Sequence, residues 1–175
     1  MSYTGGVTSS ADPGAPATAP LWLDPDQQRT WLRLAGLLIK LPAALDAQLQ
    51  REAGLSHFDY MVLSRLSEAP NRTLRMSQLA ELANGSLSRL SHVVKRLEQR
   101  GWVRRQPCPE DGRATNAVLT EDGWDKVVQT APGHVATVRS LVVDPLDPAQ
   151  LAQFGDLVGT LLAQVDPAGD CPGQD

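Results

Sequence analysis

Residues 84–106 read NGSLSRLSHVVKRLEQRGWVRRQ, and the fold turns on how they are read. Asn84-Gly85 is a turn dipeptide, and Ser86 is a side-chain cap for the helix that follows. At 100° per residue Leu87, Leu90, Val93, Val94 and Leu97 gather on one face. Ser88, Arg89, His92, Lys95 and Arg96 take the opposite face, with Ser91 on the flank. Gly101 ends the helix after Gln99. One side is thus built for a core, and the other offers donors suited to phosphates and base edges. An ordinary amphipathic surface helix has the same pattern, so the flanking segments must decide.

Working outward, Met76–Ala83 predicts a short helix before the turn. Trp102–Gln106 and Thr115–Thr120 predict two strands after the long helix, joined by a loop too long for a two-residue hairpin. Residues 109–123, PEDGRATNAVLTEDG, hold the loop, the second strand and the start of a new helix at Thr120. An arginine at such a tip can enter a narrow minor groove. Asp111 could pin Arg113 or accept backbone N–H bonds in the turn.

Further out, Asp24-Pro25-Asp26-Gln27 predicts a capping box for a long helix to about Ala53, kinked at Pro42 and stopped by Gly54. Ser56 with Asp59 caps a second helix carrying Phe58, Met61, Val62, Leu63 and Leu66. In the helix begun at Thr120, Pro132-Gly133 predicts a bend or break. Asp147-Pro148-Ala149-Gln150 caps a last helix with an apolar stripe of Leu151, Phe154, Leu157, Val158, Leu161, Leu162 and Val165. The fold class is mainly α (α+β): a winged helix-turn-helix between long terminal helices.

The 175 residues, 42% hydrophobic and 21% charged, suit one soluble domain with a sizeable core. Residues 1–20 and 166–175 read as disordered tails, and no secretory signal or membrane span is expected. Two cysteines fit a reducing, cytoplasmic setting better than a disulfide framework. The net charge of −4 is unevenly spread. From Pro70 to Arg113 nine Lys or Arg face four acids, leaving that segment at +5 and the remainder at −9. A basic middle in an acidic frame suggests a polyanion held at one face, with solvated surface charge as the alternative.

Residues 55–123 resemble the multiple-antibiotic-resistance regulator (MarR) family of bacterial winged-helix transcription factors. The most specific parts are RLEQRGWVRR at 96–105 and DGRATNAVLTEDG at 111–123, with its Asp-x-Arg wing motif and the Leu-Thr that opens the next helix. The resemblance implies a DNA-binding regulator, more often a repressor. It implies a homodimer joined through terminal helices at 21–54 and 123–165, around a winged domain at 55–122, on pseudo-palindromic duplex DNA. It places Ser88, Arg89, Ser91, His92, Lys95 and Arg96 toward the major groove, with Arg113 at the wing tip beside Asp111. Relatives often answer to small aromatic or anionic effectors held between the dimerisation helices and the winged domain. Arg75 departs from the Ser or Thr cap that many members carry, and QPCP stiffens the entry to the wing.

For such an effector Trp31, His57, Phe58 and Met61 are the candidate walls, with His57 and Arg65 as anchors for an anion; core filling is the plain alternative. Catalysis finds little support, since Cys108 has only carboxylates nearby in sequence, which raise a thiol's pKa. His57, His92, His134, Cys108 and Cys171 never occur at closed zinc spacing, so no metal or other cofactor is expected. A cysteine-based redox sensor of the same fold, and an interaction module without DNA, are the competing readings.

Overall fold

A computed structural model describes residues 21–109 and 111–166. The tails expected at 1–20 and beyond Asp166 lie outside the described residues, as do Glu110 and Cys171. The chain divides into two units, Met1–Gly36 and Leu37–Asp175.

In the first unit the chain enters helix α1 (Pro25–Ala53) through the expected capping box. The Gln27 N–H donates to Asp24 Oδ1 at 2.9 Å, and the Asp24 N–H to Gln27 Oε1 at 3.0 Å. Helix α1 runs on through Pro42, where a kink was expected, as one uninterrupted element.

In the second unit, α2 (His57–Glu68) starts with a reciprocal Ser56–Asp59 capping box. A 3-10 turn at Pro70–Arg72 leads into a three-residue strand, β1 (Thr73–Arg75). Helices α3 (Met76–Leu82) and α4 (Leu87–Gln99) are joined by a turn in which Asn84 adopts φ 46°. Gly85 in that turn has no room for a side chain: a Cβ there would sit 2.8 Å from Phe58 Cζ. Strands β2 (Val103–Cys108) and β3 (Asp111–Leu119) form the wing, and α5 (Glu121–Val138), a π-helical turn (Arg139–Val143) and α6 (Pro148–Val165) complete the chain.

The sheet order is β1-β3-β2, antiparallel throughout. Strand β1 was not expected. It is too short to alternate, and it exists because Thr73, Leu74 and Arg75 pair with Val118, Ala117 and Asn116 of β3. The wing strands are also longer than the sequence reading gave. They reach Cys108 and Asp111, which pair across a bulge, so the long connecting loop is mostly ladder. Pro107 hid this extension, but β2 lies at the sheet edge, where a residue without an N–H is tolerated.

The core gathers Leu49, Leu55, Val62, Leu63, Leu66, Leu79, Leu90, Val94, Leu97, Val103 and Ala117, all essentially without solvent contact. It therefore joins the C-terminal end of α1, α2, α3, the inner face of α4 and the wing base. Trp102 and Trp124 pack against its edge. Pro132-Gly133 does not break α5; the helix loosens only at Arg139, into the π-helical turn. On α6 no residue is buried, and Phe154, Leu157, Leu161 and Val165 face solvent in the single chain. Among the described residues no helix is long and apolar enough to cross a membrane.

Candidate nucleic-acid interface

Helix α4 starts where the Ser86 hydroxyl accepts the Arg89 N–H at 3.2 Å. Leu90, Val93, Val94 and Leu97 are buried, which fixes the roll of the helix about its axis. Ser88, Arg89, His92, Lys95 and Arg96 are thereby turned outward, and Ser91 is half-buried. Leu87 breaks the expected pattern. It was assigned to the core face but is 54% exposed, because the hydrophobic core ends one turn short of the helix start.

The outward residues are not equivalent. The Arg89 guanidinium stacks on the Phe58 ring, 4.0 Å from its centroid. Arg96 is drawn back to Asp59, whose side chain is only 5% exposed and which also closes the α2 capping box. Arg96 was read as a groove-facing residue; the structure gives it an intramolecular partner, and at 46% exposure it serves as the counter-ion of a buried carboxylate. Ser88, His92 and Lys95 stay on the solvent face.

The wing is locked to α4 by Arg105. Its Nε and Nη2 donate to Glu98 Oε2 at 3.0 and 2.8 Å, and its backbone N–H donates to Oε1 at 3.0 Å. These bonds, the side-chain ones first, hold the Glu98 carboxyl below its ordinary pKa. Toward the tip, the Asp111 carboxylate accepts the Arg113 N–H at 3.1 Å, shaping the backbone there, while the Arg113 side chain is exposed. Between α4 and the wing lies a cleft of about 310 Å³, with Arg75, Arg105 and Arg113 around Leu87 and Ser91. Arg75, Arg105 and Leu87 had no place in the sequence reading of the site. Only the sheet register and the early end of the core bring them there.

Residues 55–115 match the MarR family. In fold, the chain superposes on a MarR family transcriptional regulator from Streptomyces coelicolor, Sco3205, solved in complex with DNA. That likeness has a TM-score of 0.81 and 41% identity, over 89% of this chain and 96% of that one. The chain belongs to the MarR family. This MarR-family protein also resembles AbsC, another member from Streptomyces coelicolor, at 36% identity and a TM-score of 0.78, over 83% of this chain and 98% of that one. The HTH-type transcriptional regulator PecS of Dickeya dadantii (strain 3937) is 26% identical over 140 residues, 77% of this chain and 83% of its own. The protein is thus a DNA-binding transcriptional regulator, and its relatives are regulators rather than enzymes.

The residues nominated for an effector are distributed unequally. His57, Phe58 and Met61 line a crevice of about 380 Å³ together with Asp46, Asn84 and Arg89. Arg65 does not line it; its guanidinium pairs with Glu68 at 3.1 Å. Trp31, on α1, is 53% exposed. Burial lowers the His57 pKa, against a smaller raising effect from Asp46. Its imidazole is therefore a poor cation near neutrality, and Arg89 is the arginine that lines the crevice. The Cys108 thiol is buried beside the wing bulge.

Proposed function

We propose that this MarR-family protein is a repressor that binds pseudo-palindromic duplex DNA as a homodimer, acting in the cytoplasm. Helix α4 enters the major groove, and the β2–β3 wing sends Arg113 toward the adjacent minor groove. The observation that carries this reading is the division of α4: an inner face sealed in the core and an outer face of Ser88, Arg89, His92 and Lys95 beside an arginine-lined wing. Occupancy of a promoter by such a dimer would exclude other proteins from it, which is the simplest route to repression.

The dimer rests on apolar surface that one chain leaves uncovered. Leu157 and Leu161 on α6, and Leu38 and Ile39 on α1, are each more than half exposed. A second copy is the economical cover for such faces, and the helices at 21–54 and 123–165 are the elements we assign to it. Two copies would set two α4 helices about one turn of B-DNA apart.

The crevice around His57, Phe58 and Met61 suits a small aromatic or anionic effector, with Phe58 and Met61 as walls and Arg89 as the counter-charge. Because Arg89 also stands on α4, a ligand drawing on it would favour a conformation with weaker DNA contact. The test is selection of duplexes from a random pool, followed by sedimentation of the complex. Enrichment of inverted half-sites bound by two chains supports the reading; failure to enrich any duplex, or binding by one chain, rejects it. Aromatic carboxylates titrated into the complex, followed by tryptophan fluorescence, test the effector separately.

A further inference from the structure

We propose that Leu87 is a specificity-determining residue that packs on the 5-methyl group of a thymine in each half-site. The proposal rests on the reading of α4 as the recognition helix and goes beyond it in naming a base and a contact. Leu87 is the first residue of α4, directly after the Ser86 cap, and a recognition helix meets base edges with its N-terminal residues. Leu90, Val94 and Leu97 share its heptad face and are fully buried, yet Leu87 itself is 54% exposed. Its side chain lies in the cleft between α4 and the wing, with Ser91 one turn further on.

The surroundings narrow what could cover it. Arg75, Arg105 and Arg113 line the same cleft, so the partner must offer an apolar group framed by negative charge. Arg105 is already paired with Glu98, but the Arg113 side chain is exposed, and a purely apolar partner would have to take its guanidinium out of water. The major groove meets both demands, because phosphates flank it and thymine alone among the bases presents a methyl group there. A leucine contact of this kind carries no hydrogen bond. Its discrimination comes from the methyl alone.

The experiment uses the full-length protein and a duplex obtained by selection. Each thymine is replaced in turn by deoxyuridine, which removes only the methyl group, and affinity is measured for wild type, Leu87→Ala and Leu87→Met. Loss of one buried methyl corresponds to about a 4-fold weakening, and loss in both half-sites to about 15-fold. We expect one symmetric pair of positions to show this loss with wild type and Leu87→Met, and to show none with Leu87→Ala. If duplex is bound but no thymine methyl matters, or Leu87→Ala feels the same loss as wild type, the assignment of Leu87 is overturned while DNA binding stands. If no duplex is bound, the recognition-helix reading is overturned and this inference with it.

Discussion

Replacing Gly123 by alanine tests whether α5 is seated on the turn that follows α4. Gly123 lies in the first turn of α5, where its N–H donates to the Thr120 hydroxyl at 3.0 Å. A Cβ at this position would stand 2.1 Å from the Trp102 carbonyl oxygen and 2.9 Å from its carbon, with Leu119 Cδ1 at 2.8 Å. An ordinary carbon–oxygen contact needs about 3.3 Å, so backbone must retreat by about 1 Å. The Trp102 carbonyl cannot simply rotate away, because it accepts the Thr120 N–H at 3.0 Å. Overpacking of about 1–3 kcal/mol and a lost hydrogen bond of about 1 kcal/mol oppose a helix-propensity gain of about 1 kcal/mol. The upper part of that range applies to a rigid neighbour, giving a net cost of about 2–3 kcal/mol. For a chain of this size that lowers the melting temperature by roughly 4–12 °C. Gly133 is the internal control in the same helix. Its Cβ would meet Glu52 Oε2 at 2.6 Å and Gln48 Nε2 at 3.4 Å, both ends of side chains. Glu52 is a flexible, half-exposed side chain, but its Oε2 accepts from the buried Gln48 Nε2 at 2.6 Å, so against the gain in helix propensity Gly133→Ala should cost at most about 2 kcal/mol, less than Gly123→Ala. Thermal unfolding by circular dichroism, at one fixed protein concentration, reads both variants. The packing argument is refuted if Gly123→Ala melts at or above wild type, or if Gly133→Ala is the worse of the two.

The remaining predictions concern charge and assembly. Burial lowers the pKa of both His57 and His134, so the unfolded chain binds protons that the folded one refuses. Stability should be complete above the ordinary value of 6.5 and fall as pH drops below it through the depressed folded values. The melting temperature at pH 5.5 should accordingly lie below that at pH 7.5, with a flatter profile in the double variant His57→Gln, His134→Gln; equal slopes would exclude the pair as the cause. Arg96→Ala strips a buried Asp59 of its cation and should cost about 2 kcal/mol in urea unfolding, whereas Arg113→Ala should leave the unfolding curve unchanged. Truncation from Asp147 onward should give a monomer by sedimentation, and a stable dimer after that deletion would relocate the interface.

What the sequence made legible was local chemistry. The caps at Asp24, Ser56, Ser86 and Asp147 act within three residues of themselves, and each stands in the structure where the spacing put it. The buried stripe of α4 was equally plain from Leu90 to Leu97. Features set by distant partners were hidden. Strand β1 depends on β3, some 45 residues later, and nothing within Thr73–Arg75 announces it. The pairing of Arg96 with Asp59 spans 37 residues, and nothing near Arg96 in the chain announces that this outward-facing arginine also neutralises a buried carboxylate. The exposure of Leu87 follows from where the core stops, a fact of packing rather than of period. The wing was underestimated for a related reason: Pro107 reads as a breaker until the strand is known to be an edge.

The central claim, that α4 and the wing grip duplex DNA together, is tested most directly by anisotropy titration of a selected duplex between about 50 and 200 mM salt, comparing wild type with Arg113→Ala. The account predicts a steep linear fall of log K with log salt, and saturation at two chains per duplex. It also predicts a weakening in Arg113→Ala that is greatest when the flanks are A·T-rich. Binding that ignores salt, or an Arg113→Ala protein that matches wild type at physiological salt, would contradict it.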